Sequence, residues 1–100
     1  MIDYDKRQLR IMIDKIEQFQ KGNLYLSYLI EDLEALLNVL QNIDNEWKIN
    51  FRTEWWDLEQ VYAYALYENQ AHLDDEGVKM VNETIDNILG LINEILTKEE

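Results

Sequence analysis

The stretch that decides the fold is residues 78–96, which read VKMVNETIDNILGLINEIL. Its apolar residues recur every three or four positions, as in an α-helix that turns one face to a core. The stripe consists of Val78, Val81, Ile85, Ile88, Leu89, Ile92, Ile95 and Leu96. Leu73 precedes Asp74 and Val78 follows four residues later, which predicts a capped helix start after Asp74 with a hydrophobic staple. Gly90 interrupts the stripe, and we expect it to permit close packing there.

Two amphipathic segments open the chain. The first covers about residues 4–21 and is followed by Gly22, at the position of a left-handed C-terminal cap. The second covers about residues 25–41, and either Asn23 or Ser27 is expected to cap its start. The two apolar stripes are Leu9, Met12, Ile13, Ile16 and Phe19, and then Leu26, Leu29, Ile30, Leu33, Leu36, Leu37 and Leu40.

The third segment is the longest, about residues 45–71, with Asp44 or Asn45 as its cap. Its stripe consists of Trp47, Phe51, Trp55, Leu58, Tyr62, Ala65 and Leu66. The chain has no proline and three glycines, which disfavours a turn-rich sheet. Short connections between long helices imply antiparallel neighbours. We therefore predict an all-α fold, a four-helix, up-down-type antiparallel bundle in which residues 1–100 form a single domain.

Composition limits the classes of function. Apolar residues make up 47% of the 100-residue chain, enough for one compact core. The net charge is −12, and residues 23–100 carry 17 acidic and four basic residues. The electrostatic field of so many negative charges repels nucleic acid and anionic membranes and attracts basic surfaces. The chain has no cysteine, no secretory signal pattern and no run long enough to span a membrane, so we expect a cytoplasmic protein.

Residue types suited to catalysis or metal binding are scarce. His72 is the single histidine, placed near the end of the third helix, where it would compensate the helix dipole. Ser27 is the single serine, with no base indicated nearby. We expect no catalytic residue, no metal site and no cofactor.

One enzymatic alternative rests on carboxylates. Glu31-x-x-Glu34 and Glu54-x-x-Asp57 lie on successive helices and resemble the pattern by which MazG-type nucleotide pyrophosphohydrolases hold magnesium. Clustered carboxylates suit a hard cation. However, Glu31 falls roughly opposite the apolar stripe of its helix, and no pair of basic residues lies nearby to hold phosphates.

The third segment also carries an unusual number of aromatic residues. Within 21 residues it contains Trp47, Phe51, Trp55, Trp56, Tyr62, Tyr64 and Tyr67. Trp56 points away from the apolar stripe, and Ile49, Ala63 and Tyr67 share its face. Either this helix is buried on both sides, or the second face is an exposed aromatic patch. Glu59 lies at the edge of the stripe, where a partly buried carboxylate would need a Tyr hydroxyl or Trp indole donor.

The aromatic stretch carries a resemblance to a protein class. Residues 47–66 are written Trp-x(3)-Phe-x(3)-Trp-Trp-x-Leu-Glu-x(2)-Tyr-Ala-x-Ala-Leu. With its size, charge and helix count, the chain resembles the small acidic helical immunity proteins that bacteria encode beside contact-dependent inhibition toxins, polymorphic toxins or colicins. The resemblance implies that the chain binds and neutralises a cognate toxin domain, often a nuclease with a basic cleft, and is not itself an enzyme. The chain lacks the Asp-Tyr-Tyr-Pro motif of nuclease-colicin immunity proteins. The functional residues of that family therefore cannot be assigned to positions of this chain.

The partner-binding residues are instead predicted from the chain itself. Aromatic residues ringed by charge are typical of interface hot spots. The predicted anchors are Trp56, Tyr64 and Tyr67, and the predicted complementary charges are Asp57, Glu68, Asp74, Asp75 and Glu76. A generic helical interaction module is the main alternative, because a second apolar face also suits a homodimer.

Overall fold

The computed structural model describes residues 1–68 and 72–98, which form four α-helices. They are α1 (Asp3–Gln20), α2 (Leu26–Asn38), α3 (Asn45–Tyr67) and α4 (Asp75–Lys98). Helix α1 packs against α2 and α4, and α3 packs against the same two helices. Within the described ranges, neither diagonal pair is in contact. The predicted all-α, four-helix antiparallel bundle is confirmed.

One hydrophobic core runs through the bundle and is built from the predicted stripes. Its fully or almost fully buried members include Leu9, Met12, Ile16, Leu29, Leu33, Phe51, Leu58, Val81, Ile85, Ile88 and Ile92. Two stripe assignments are wrong: Leu66 is 60% exposed and Val78 is 44% exposed. Val61, which the predicted stripe omits, is buried at one edge of the buried face of α3, about one turn from both Leu58 and Ala65.

The exposure of Leu66 follows from the unequal lengths of the helices. The indole N–H of Trp55 donates to the carbonyl oxygen of Ile30 at 2.8 Å, which aligns α3 with α2. From Trp55, α3 continues for 12 residues to Tyr67, a rise of about 18 Å. From Ile30, α2 extends back only four residues to Leu26, a rise of about 6 Å. The end of α3 therefore extends about 12 Å beyond the start of α2, where α2 no longer covers it.

Two of the predicted helix ends are confirmed. Gly22 has φ 82°, and its N–H donates to the carbonyl oxygen of Phe19 at 3.0 Å. The N–H of Asn23 donates to the carbonyl oxygen of Gln18 at 2.9 Å, which completes a Schellman motif. At the start of α4, the N–H of Gly77 donates to Asp74 Oδ1 at 2.7 Å.

Other end assignments are corrected. Tyr25 occupies the N-cap of α2 without a side-chain cap, so neither Asn23 nor Ser27 has the predicted role. The amide of Asn23 instead donates to Gln18 Oε1 at 3.2 Å. Asp44, one of the two residues predicted to cap α3, does occupy its N-cap, but its side chain forms no capping hydrogen bond. Gly90 is also exposed, and a Cβ built on it would meet nothing within 4 Å, so the prediction of close packing there is wrong.

The second and third helices both end earlier than predicted. Helix α3 ends at Tyr67, and the predicted extension through residues 69–71 lies outside the described residues. Helix α2 ends at Asn38, and the connection that follows it is tied to the start of α1. The carboxylate of the fully buried Asp5 accepts the backbone N–H groups of Gln41 and Asn42, each at 2.8 Å. The N–H groups of Gln41 and Asn42 therefore have hydrogen-bond acceptors although the helix has already ended.

Candidate protein-binding surface

The three tryptophans of α3 divide between the core and the surface. Trp47 and Trp55 are only 8% and 7% exposed. The Trp47 indole N–H donates to the carbonyl oxygen of Leu91 at 2.9 Å, and that of Trp55 binds α2 as described above. Trp56 is 53% exposed and has no hydrogen-bond partner among the described residues. Two indoles thus join α3 to its neighbours, and the third is presented to solvent.

The exposed face of α3 extends well beyond Trp56. Ile49, Ala63 and Tyr67 are all exposed and lie on the same side of the helix at seven- and four-residue spacings. The alternative that α3 is buried on both sides is therefore wrong for the folded chain. Tyr64 is exposed as well, rotated by about 80° from Trp56 toward α4.

Trp56 borders an open groove of about 670 Å³ between α2 and α3. The groove is lined by Glu34, Ile49, Arg52, Thr53, Trp55, Trp56 and Glu59. Glu34 comes from α2, and Glu59 follows Trp56 by three residues, on the adjacent turn of α3. Arg52 Nη2 donates to Asn38 Oδ1 at 3.1 Å, at the end of α2.

The predicted site residues do not form one compact cluster. Glu68 follows the last residue of α3, Asp74 caps α4, and Asp75 and Glu76 open its first turn. All four are exposed and lie near one end of the bundle, together with Tyr64 and Tyr67. Trp56 lies 12 residues before Glu68, about 18 Å along the helix axis. Asp57 is exposed beside Trp56 but lies on the side of α3 that faces α4.

Two further tyrosines, not among the predicted site residues, lie at this end. Tyr25 and Tyr28, at the start of α2, are 77% and 54% exposed, and their ring centroids lie 6.1 Å apart. Their exposure could have been predicted from the sequence, because neither tyrosine belongs to the Leu/Ile stripe of α2. Because the start of α2 and the end of α3 lie at the same end of an antiparallel bundle, the exposed tyrosines of both helices face solvent there.

The carboxylates of the enzymatic alternative do not assemble into a metal centre. In the described part of the chain, no group of three or more His, Asp or Glu side chains is placed to hold a metal ion. Glu31 is exposed, and Glu54 Oε2 accepts a hydrogen bond from Asn87 Nδ2 at 3.3 Å. His72 is exposed and lies in the connection that follows α3, which agrees with the surface position predicted for it near the end of that helix.

Glu59 also differs from its prediction. It is half-buried, as expected, but no described Tyr hydroxyl or Trp indole donates to it. The two buried indoles are occupied by backbone carbonyl oxygens of neighbouring helices. Glu59 therefore lines the groove without a hydrogen-bond donor from the described residues.

The chain matches no family model, and comparison with curated proteins and with solved structures likewise finds no match. None of the described helices is long and apolar enough to cross a membrane.

Proposed function

We propose that this chain is an immunity protein that binds a cognate bacterial toxin domain in the cytoplasm and neutralises it. The observation that carries the proposal is the exposure of Trp56, an aromatic side chain that joins no helices and fills no part of the core. Tryptophan and tyrosine are enriched among the residues that dominate binding energy at protein interfaces. The proposed anchors are Trp56, Tyr64 and Tyr67.

The charge of the chain favours a basic partner. The net charge is −12, and the acidic residues Asp57, Glu68, Asp74, Asp75 and Glu76 are all exposed. An acidic surface accelerates association with a basic one by electrostatic steering. Aromatic anchors then slow dissociation, which is where most affinity differences arise. A toxin with a basic substrate cleft, such as a nuclease, has the complementary charge, and covering that cleft would block its substrate.

The test is co-expression with the product of the adjacent upstream gene, followed by size exclusion and a growth assay. A one-to-one complex and restored growth are expected. Trp56→Ala should weaken the complex by about thirtyfold or more, since hot-spot truncations cost about 2 kcal/mol or more. Ile11→Ala is the matched control, because Ile11 is 40% exposed on α1, the helix diagonal to α3.

The control variant should bind within about twofold of the unchanged chain, because isolated surface side chains contribute little to binding. Both variants should keep the helical circular dichroism signal. Loss of that signal in Trp56→Ala would identify Trp56 as a folding residue and refute the proposed anchor. Equal binding by all three proteins would show that Trp56 is not an anchor of the complex.

Self-association is a second candidate with its own supporting observation. Ile49, Trp56 and Ala63 follow one another at seven-residue intervals on the exposed face, as the apolar positions of a helix–helix seam do. This candidate predicts a dimer in sedimentation equilibrium that Trp56→Glu dissociates. A monomer at a concentration of about 1 mM would exclude a dimer with a dissociation constant below about 1 mM.

A further inference from the structure

Two glutamates that line the groove beside Trp56 have no partner for their carboxylates. Glu34 and Glu59 are both half-buried, one on α2 and the other on α3. Neither forms a hydrogen bond or ion pair with another residue of the described ranges. A carboxylate that has no partner within the protein can accept charge-assisted hydrogen bonds from an incoming cation that carries N–H donors.

The remaining polar groups of the groove are already engaged. Arg52 donates to Asn38 Oδ1 at the last residue of α2, where the helix dipole is negative. The indole N–H of Trp55 is bound to a backbone carbonyl oxygen of α2. The groups of the groove that remain without a partner are therefore two carboxylates and the exposed ring of Trp56. The lining has two negative charges and one positive charge, that of Arg52.

We propose that this groove binds the guanidinium group of an arginine side chain. The cation would stack on the ring of Trp56 while its N–H groups donate to Glu34 and Glu59. The proposal rests on the proposed function in one respect, namely that the arginine belongs to a basic protein partner. It goes further by assigning the chemistry that Trp56 recognises.

Arginine fits this groove better than other cations do. Its planar guanidinium stacks on aromatic faces and is more weakly hydrated than an ammonium group. Its five N–H donors are spread around the plane, so it can reach two carboxylates that come from different helices. The volume of about 670 Å³ holds the side chain together with adjoining backbone of the partner.

The test follows the three indole N–H signals in a ¹H–¹⁵N spectrum of the full chain. The probe is N-acetyl-L-arginine amide, and the neutral control is N-acetyl-L-citrulline amide, which has nearly the same shape. The arginine probe should move the Trp56 signal saturably and leave that of Trp47 in place, because Trp47 is buried, donates to α4 and does not line the groove. The citrulline probe should move none of the three.

Paired substitutions then test the carboxylates. Glu34→Gln with Glu59→Gln should weaken arginine binding by about tenfold or more, as expected for the loss of charge-assisted hydrogen bonds. Glu17→Gln with Glu83→Gln makes the same charge change at exposed positions on α1 and α4 and should stay within about twofold. An unchanged Trp47 signal, from an indole outside the groove, would show that each variant is folded.

The outcomes separate this inference from the proposed function. Equal shifts with arginine and citrulline, or equal losses in the two double variants, would overturn the arginine site even if a toxin complex forms. Selective arginine binding that depends on Glu34 and Glu59 would support the site, even if no toxin complex is found and the immunity proposal fails.

Discussion

Asp5 holds the start of α1 against the connection between α2 and α3, so its removal tests how that end of the bundle is fixed. Both carboxylate oxygens accept backbone N–H groups, from Gln41 and Asn42, at 2.8 Å. A hydrogen bond to a charged acceptor contributes about 1.5–3 kcal/mol. Gln41 and Asn42 are exposed, so their freed N–H groups can bind water, and the lower end of the range applies. We expect Asp5→Ala to lower the free energy of unfolding by about 3 kcal/mol.

Urea denaturation followed by circular dichroism measures this change. For a chain of this size the slope is about 1–1.5 kcal/mol per molar urea, so the midpoint should fall by about 2–3 M at an unchanged slope. The urea midpoint of Asp5→Asn should lie between those of the unchanged chain and Asp5→Ala. The amide oxygen of the asparagine can still accept one N–H group, but its NH₂ group would face the other N–H donor.

Asp3→Ala is the matched control for the helix dipole. Asp3 lies in the same first turn of α1 but is exposed. Its substitution should cost less than about 1 kcal/mol, the upper range for a surface carboxylate near a helix start. A loss below about 0.5 kcal/mol in Asp5→Ala, or a loss equal to that of Asp3→Ala, would refute the role of the two hydrogen bonds.

Three further predictions concern single side chains. Gly22→Ala should destabilise the chain by about 1 kcal/mol, because Gly22 has φ 82°. Gly90→Ala should stabilise it by about 0.5–1 kcal/mol, because this helical position has room for a Cβ. Thermal melts should therefore show a lower melting temperature for the first variant and a higher one for the second. Asp74→Ala should cost about 1 kcal/mol through the lost cap, in the same assay, and a cost near zero would contradict the capping hydrogen bond. Trp55→Phe and Trp47→Phe should each cost at least about 1 kcal/mol, since each leaves a carbonyl partner without its indole donor; urea midpoints matching the unchanged chain would contradict this.

The fold was predictable because its determinants are local. The apolar residues of α4 recur with the helical period, and the pattern that begins at Leu73 and Asp74 marks the start of the helix. The same holds for Gly22, whose position after the first stripe predicts the left-handed cap that closes α1. The helical period and the cap both depend on residues close together in the sequence. They can therefore be predicted without knowing which helices pack against each other.

What escaped prediction depends on contacts between distant segments. Asp5 and Gln41 are 36 positions apart, and nothing in the residues around either one indicates that they meet. Leu66 satisfies the helical period but is exposed, because coverage of that turn depends on how far α2 extends. The groove beside Trp56 also depends on such contacts, since it is lined by Glu34 of α2 and Glu59 of α3, which are 25 positions apart.

The adjacent pair Trp55 and Trp56 shows how topology settles what the period leaves open. Consecutive helical residues point about 100° apart, so the two indoles cannot lie on the centre of the same buried face. In a bundle whose diagonal helices do not touch, each helix is covered on the sides that face its two neighbours and meets solvent on its outer side. Trp55 is on the covered side, with its indole N–H bound to Ile30, so Trp56 must lie on the outer side. Because packing of the core accounts for Trp55 and not for Trp56, substitutions at Trp56 can test binding without disturbing the fold.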